Sequence, residues 1–384
     1  MKRATFCLYF VAVFSLLIYS FSQIDLNLTL SSHPLYQSFQ QAMIQLGYFH
    51  RPLSAFFFIA IISALFLSYL SLLYLAMSQQ LTTQNALVLA VFTALILLLS
   101  YPAFSHDIFN YIFDARLLVH HHANPYTHTA LQFPDDLWTR FMRWTHRTYP
   151  YGPGWLGLTA AIYPLGLGKF TLTLLIFKFL GFASYLLSVF SIHRLAHHFR
   201  LKHPQFHTLL FAANPLIIIE TLVTAHIDAT MAALMLLGVT LSFKHKLGSW
   251  FGLIFSASIK YISAGLLPFW FLFQKRFLSF NKTMIFSLIG VYLLILYLVS
   301  EREFYPWYLI TPFALSSLIK PSRFNLFLTC SLTLASLIRY APYLYIGDYT
   351  PFVITARDSI TTLTVLTFLI LWLLSRVIPI SRHE

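Results

Sequence analysis

Apolar runs approaching the thickness of a bilayer recur along the whole chain. They fall near 6–22, 53–77, 86–104, 170–192, 207–224, 226–242, 249–259, 262–273, 283–300, 306–319, 324–339 and 360–378. Hydrophobic residues make up 58% of the 384 positions and charged residues 10%, with a mean hydropathy of +0.71. A soluble fold of this length has no core large enough to hide so much apolar surface, so lipid solvates much of it. Alternating strand patterns with regular turn signals are absent, which leaves helices to satisfy the backbone in hydrocarbon. The sequence predicts an all-α, multi-pass integral membrane protein with about 12 membrane segments, organised as a single transmembrane domain over 1–384. Several runs are shorter than the ~20 residues a perpendicular span needs, and short interrupted helices often line a binding cavity.

Orientation follows from the basic residues between the runs. Lys2, Arg3, Arg194, Arg200, Lys202, Lys244, Lys246, Lys275, Arg276, Lys282, Lys320, Arg323, Arg376 and Arg382 fall on one side if the short apolar stretch 154–168 is re-entrant or interfacial. That side reads as cytoplasmic. All of the twelve acidic residues except Glu384 then lie at or near the opposite, external face. A formal charge of +13 in a soluble chain suggests nucleic acid; here anionic lipid headgroups and topology account for it, and no nucleic-acid partner is expected. Cys7 and Cys330 sit in apolar spans, which argues against a disulfide or zinc site. Lys2-Arg3 and the apolar run to Phe21 have the form of a secretory signal; because Ser20 and Ser22 make only a fair cleavage site, an uncleaved signal anchor is the favoured reading and a cleaved signal the alternative.

The largest polar stretch, 105–153, is the expected external catalytic loop. Asp107, Tyr111 and Asp114 are spaced i, i+4, i+7, so a short interfacial helix puts them on one face. A carboxylate at the hydrocarbon edge is costly and tends to be functional, and partial burial raises its pKa toward values useful in proton transfer. The same spacing also suits a helix cap or an interfacial anchor. His120–His122 lack the spacing of a metal-binding helix, and Asp135-Asp136 after a proline read as a helix N-terminus. Neither pattern marks a metal site.

Asp107-x-x-x-Tyr111-x-x-Asp114-x-Arg116, followed by Asn124-Pro125-Tyr126 and Tyr151-Gly152-Pro153, resembles the first external loop of GT-C glycosyltransferases. Asn214-Pro215 through Glu220, Ala225 to Ala229 around His226 and Asp228, Ser258-Ile259-Lys260, and Pro306-Trp307-Tyr308 follow in the expected order. The set is closest to bacterial polyprenyl-phosphate-mannose-dependent mannosyltransferases and glycosyltransferase family 87, and covers roughly 86–320. Ile227 stands where the family often has Asn, and Ala115 where it often has Gly.

The resemblance implies a GT-C-type fold with short interfacial helices in the first large external loop, and, being to metal-independent lipid-phosphate-sugar enzymes, it implies no metal and no cofactor. It implies that Asp107 is the base that deprotonates an acceptor hydroxyl as that oxygen attacks C1 of the sugar and a polyprenyl phosphate leaves. The leaving group is already a stable anion, so no second carboxyl is needed as an acid. The anion calls for cations: Lys260, which interrupts an apolar segment, then Arg302, Arg116 and Lys178. Tyr111, Asp114, Asn124, Tyr126, Tyr151, Glu220, His226, Asp228, Trp307 and Tyr308 are the candidates for substrate binding. Expected partners are a polyprenyl-phosphate-linked sugar, a glycan or glycolipid acceptor and membrane lipids, at the outer face of a bacterial plasma membrane. A transporter or lipid-linked-sugar flippase is the rival class, and glucose or arabinose the rival sugars.

Overall fold

The computed structural model describes residues 2–377. Arg382 and Glu384, used above for orientation, lie outside the described residues, as does the side chain of Arg376. Every regular element among the described residues is helical. In chain order the α-helices are α1 (Lys2–Ser20), α2 (Pro34–Ile44), α3 (Arg51–Met77), α4 (Thr83–Leu97), α5 (Asp107–Val119), α6 (Pro153–Ile162), α7 (Phe170–His198), α8 (Pro204–Ala212) and α9 (Pro215–Ile217). They continue as α10 (Ile227–Leu241), α11 (Lys246–Ile259), α12 (Leu267–Gln274), α13 (Phe280–Glu301), α14 (Ile310–Ser316), α15 (Arg323–Ile338), α16 (Ala341–Ile346) and α17 (Pro351–Val377).

Six of these stretches are long and apolar enough to cross a bilayer: Lys2–Gln23, Arg51–Met77, Phe170–His198, Phe280–Glu301, Arg323–Ile346 and Pro351–Leu374. A seventh is possible if the bent pair Pro204–Ala212 and Pro215–Val223 is one span. The other apolar runs of the sequence form shorter pieces. Thr83–Leu97, Ile227–Leu241 and Tyr261–Gln274 are apolar helices below spanning length, and 306–319 folds as a short 3-10 turn followed by α14. Helix α6, in the stretch read as re-entrant or interfacial, has ten residues and reaches about 15 Å, half the hydrocarbon thickness. The last long helix begins at Pro351, well before the apolar run that marks it.

Local chemistry explains the main break. Pro215 has no N–H to continue a helix, and the Asn214 side chain accepts from the Leu216 and Ile217 N–H groups to start a new one. The two halves meet at 47°. A π-helical turn over Ile218–Val223 then carries Glu220, and Ala225 turns the chain at φ +54°. A left-handed alanine is strained, and its close neighbour shows how it is held. A Cβ on Gly181 of α7 would lie 2.8 Å from the Thr221 carbonyl oxygen and 3.0 Å from the Ala225 Cβ. Glycine there lets α7 pack directly against this turn. Helix α10 follows, buried along most of its length between α7, α11 and α14. The core therefore surrounds the segment that presents His226 and Asp228 at its start.

Candidate active site

Three chain breaks meet at one end of this core. Helix α5 begins at Asp107, α10 begins just after His226, and α11 ends just before Lys260. The loop before α6 ties the last of these in place. The Gly152 N–H donates to the Ile259 carbonyl at 3.0 Å, so the 105–153 loop is fastened one residue from Lys260. A Cβ on Gly152 would lie 1.9 Å from the Ser258 carbonyl oxygen, so only glycine permits this approach.

Lys260 sits in extended backbone, and its ammonium donates to both Asp228 carboxylate oxygens at 2.9 and 3.0 Å. The same ammonium lies 4.4 Å from the centre of the Tyr308 ring. His226 Nδ1 lies 3.7 Å from Asp107 Oδ2 and 3.5 Å from the Tyr111 hydroxyl. On its other edge, Nε2 lies 3.4 Å from Glu220 Oε2. The imidazole is covered by Trp307, ring centres 3.9 Å apart at 23°, and Trp307 in turn stacks on Tyr305. Asp107, Tyr111, Glu220, His226, Asp228, Lys260, Trp307 and Tyr308 thus form one cluster.

Within the cluster the acids and cations are not equally accessible. The side chains of Asp107 and Lys260 keep 14% and 13% exposure, whereas Asp228, Glu220 and His226 keep 1% or less. A reacting molecule arriving from solvent therefore meets Asp107 and Lys260. Burial pushes the Asp107 carboxyl up to about 6, against the pull of the Lys260 ammonium, a hydrogen bond with Trp144 and the charge of Arg147. A carboxylate with that pKa is ionised at neutral pH and is a stronger base than a surface aspartate. Burial, with Asp107 adding like charge, pushes Asp114 up to about 8, which keeps it a neutral acid at pH 7.

The remaining predicted residues lie around or outside this cluster. The Tyr151 ring packs edge-on to Tyr111 at 5.4 Å, and its carbonyl accepts from the Tyr126 hydroxyl. Asn124 closes a turn by accepting from the Tyr126 N–H. Arg302 follows α13 and is exposed, with its charge acting on Tyr261 and Tyr308. Arg116 turns away: it pairs with Asp136 at 2.5 Å, donates to the Tyr163 hydroxyl and stacks on Trp138. Asp136 also meets His121 at 2.7 Å and caps the 3-10 turn Leu137–Phe141. Lys178 is buried in α7, where its ammonium donates to Ser100 and to the carbonyls of Leu222 and Val223. It holds the end of the π-turn, with no donor left to face the cluster.

Several neighbours carry no sequence signal. Tyr340 donates to Glu220 Oε1 at 2.9 Å, from 120 residues away in the chain. Trp144 reaches Asp107, with the Arg147 guanidinium 4.3 Å above the Trp144 ring. Arg339 pairs with Asp358 and donates to the Phe304 carbonyl, while Arg357 bridges Glu303 and Asp358. An aromatic or a cation isolated in an apolar stretch has no spacing that could have marked these roles. Among the described residues, no group of three or more His, Cys, Asp or Glu is placed to hold a metal ion. Cys7 and Cys330 are both free thiols.

A family model described as alpha-(1->6)-mannopyranosyltransferase, N-terminal domain, matches residues 11–276. The chain belongs to that mannosyltransferase family. Asp107, Glu220, His226, Asp228 and Lys260 fall within the matched residues, whereas Arg302, Trp307, Tyr308 and Tyr340 lie beyond them. The chain is also similar to alpha-(1->6)-mannopyranosyltransferase A of Corynebacterium glutamicum, at 29% identity over 175 residues. That alignment covers 45% of this chain and 35% of the relative, so the match spans little more than a third of the relative's length. No solved structure matches the chain. The chain is thus a member of a mannosyltransferase family with helices of membrane-spanning length, and its site acids and Lys260 are collected at helix breaks.

Proposed function

We propose that this chain moves a mannosyl unit from a polyprenyl-phosphate donor to a hydroxyl of an external glycan or glycolipid, with inversion and with Asp107 as general base. The observation that carries the reading is the convergence of Asp107 and Lys260, the two accessible charged side chains of the cluster, on one site. The acceptor oxygen loses its proton to Asp107 as it bonds to C1, and the C1–O bond to the phosphate breaks with its electron pair leaving on the phosphate. A β-linked donor then gives an α-linked product.

Lys260 and the neighbouring Arg147 are the cations that meet the phosphate. Lys260 is held by Asp228, whereas Arg147 is exposed on Trp144, which itself reaches Asp107. Trp307 and Tyr305 offer stacked rings at the entrance for a sugar face. The names of the matched family and of the corynebacterial relative support mannose and an α-1,6 linkage. About twelve membrane segments, including short and bent ones, and a site on the outer face of a bacterial plasma membrane complete the reading. It uses neither metal nor cofactor.

Membranes containing the chain are supplied with radiolabelled polyprenyl-phosphate-mannose and a mannoside acceptor. Transfer of label is expected, and its loss in Asp107→Asn at undiminished protein level. Transfer that survives Asp107→Asn removes Asp107 as the base, and failure of the wild type with mannose but success with a glucosyl or arabinosyl donor reassigns the sugar.

A further inference from the structure

Among the six stretches of spanning length, α17 is the least buried, and it packs on α15 and α16. Its early turns nonetheless carry two charged residues that reach the segment leading into the site. Arg357 donates from its two terminal nitrogens to the two Glu303 carboxylate oxygens, each at 3.2 Å, and from Nε to Asp358 at 3.3 Å. Arg339, buried at the end of α15, donates to the same Asp358 oxygen at 2.8 Å and to the Phe304 carbonyl at 3.1 Å. Two guanidiniums thus share one carboxylate and take hold of two successive residues. Exposed ion pairs add little to stability, and the Glu303 and Asp358 side chains keep 50% and 57% exposure. What a forked, shared arrangement supplies is fixed geometry.

The residues held belong to the connection between α13 and the 3-10 turn Pro306–Leu309. Arg302 and Tyr305 lie in extended backbone, at φ −146° and −120°. An extended segment outside a sheet has no ladder of its own, so its place depends on the partners its groups find. Pro306 locks its own φ, which leaves little slack between the held Phe304 carbonyl and Trp307. Trp307 lies over His226 with ring centres 3.9 Å apart, Tyr305 stacks on Trp307 at 4.6 Å, and the Tyr308 ring takes the Lys260 ammonium at 4.4 Å. Phe304, 5.8 Å from the Arg339 guanidinium, is edge-on to Tyr308. We propose that Arg339 and Arg357, joined through Asp358, clamp residues 303–304 and thereby set Trp307 against His226 and Tyr308 against Lys260. Both arginines are positioning residues, and both lie beyond the 11–276 match. The effect on donor binding rests on the proposed reading of the Tyr305 and Trp307 rings as a sugar platform and of Lys260 as the phosphate's cation.

The clamp is read at Trp307 itself, without transfer. In detergent-solubilised protein grown with fluorotryptophan, the fluorine resonance absent from Trp307→Phe identifies Trp307 among the seven tryptophans. One narrow line is expected in the wild type, displaced by more than its width or split in Arg339→Gln. Glu303→Gln, at a half-exposed position, is expected to move the same line by less, and it decides alone if Arg339→Gln does not fold. A line unmoved in the folded variant overturns the clamp whatever the enzyme transfers. In the transfer assay, Arg339→Gln is expected to raise donor KM about 5-fold or more with kcat within about 3-fold. Trp307→Ala raises donor KM as well, and the double variant is no worse than the poorer single one, because both changes remove the same seated ring. Losses that add across the two overturn the clamp. A line that moves in a protein unable to use a mannosyl donor upholds the clamp and removes the reading of the sugar.

Discussion

Lys260 places its ammonium on both carboxylate oxygens of Asp228, at 2.9 and 3.0 Å, with Asp228 buried and Lys260 reaching solvent. The pair locks the end of α11 to the start of α10. Breaking a buried pair from one side leaves an uncompensated charge, at about 3–5 kcal/mol. Lys260→Met is expected to lower the melting temperature in detergent and to abolish transfer. Lys260→Met with Asp228→Asn is expected to recover much of the stability and none of the activity. Recovery of transfer in the double variant would show that Lys260 acts only through Asp228.

If Asp107 is the base, as proposed, it sets the pH dependence. With its carboxyl pushed up to about 6 by burial, the free enzyme holds the base ionised above that pH and protonated below it. kcat/KM is expected to fall tenfold per pH unit below about 6. Asp107→Asn should lower kcat by about 100- to 10,000-fold, the range for a positioned base, without lowering thermal stability. An acid limb centred near 4, the value of an exposed aspartate, is the outcome that contradicts a buried base.

Lys178 separates a structural cation from a substrate-binding one. Its three acceptors are Ser100 and the carbonyls of Leu222 and Val223, so Lys178→Met takes the charged donor from two buried carbonyls and leaves Leu222 only the Ser100 hydroxyl at 3.4 Å, at about 1–3 kcal/mol for a carbonyl left unpaired. The expected result is a lower melting temperature with an unchanged KM for the lipid donor in the protein that remains folded. A selective rise in donor KM, with stability kept, returns Lys178 to the phosphate-binding set.

What the sequence revealed follows from how each contact is made. Apolar runs report lipid exposure directly, so the helical membrane class was legible, as was the approximate place of Asp107, His226, Asp228 and Lys260, charged or polar residues at the ends of such runs. Hydropathy does not report breaks, and one apparent run, 207–224, is two pieces bent at Asn214-Pro215. The cations were harder. Arg116 finds Asp136 twenty residues on through the fold of the loop, and Lys178 meets carbonyls that exist as acceptors only because the π-turn ends there. Tyr340 reaches Glu220 from α16's entrance, a contact no local spacing encodes.

Gly152 offers a test of how the loop serves the site from a distance. Its N–H is bonded to the Ile259 carbonyl, next to Lys260, and a Cβ there would overlap the Ser258 carbonyl oxygen at 1.9 Å. Backbone cannot yield as a flexible side chain does, so Gly152→Ala must push the loop away from the end of α11. Overpacking of this kind costs about 1–3 kcal/mol, and the displacement falls on the segment that aims Lys260. The φ of Gly152 is −76°, within reach of any residue, so the effect is steric rather than conformational. Gly152→Ala is therefore expected to lower kcat/KM for the lipid donor at least 10-fold while the long helices keep their circular-dichroism signal. Gly157→Ala, whose Cβ meets nothing within 4 Å, is the matched control and should behave as wild type. Equal activity in both variants means that the loop does not set the position of Lys260.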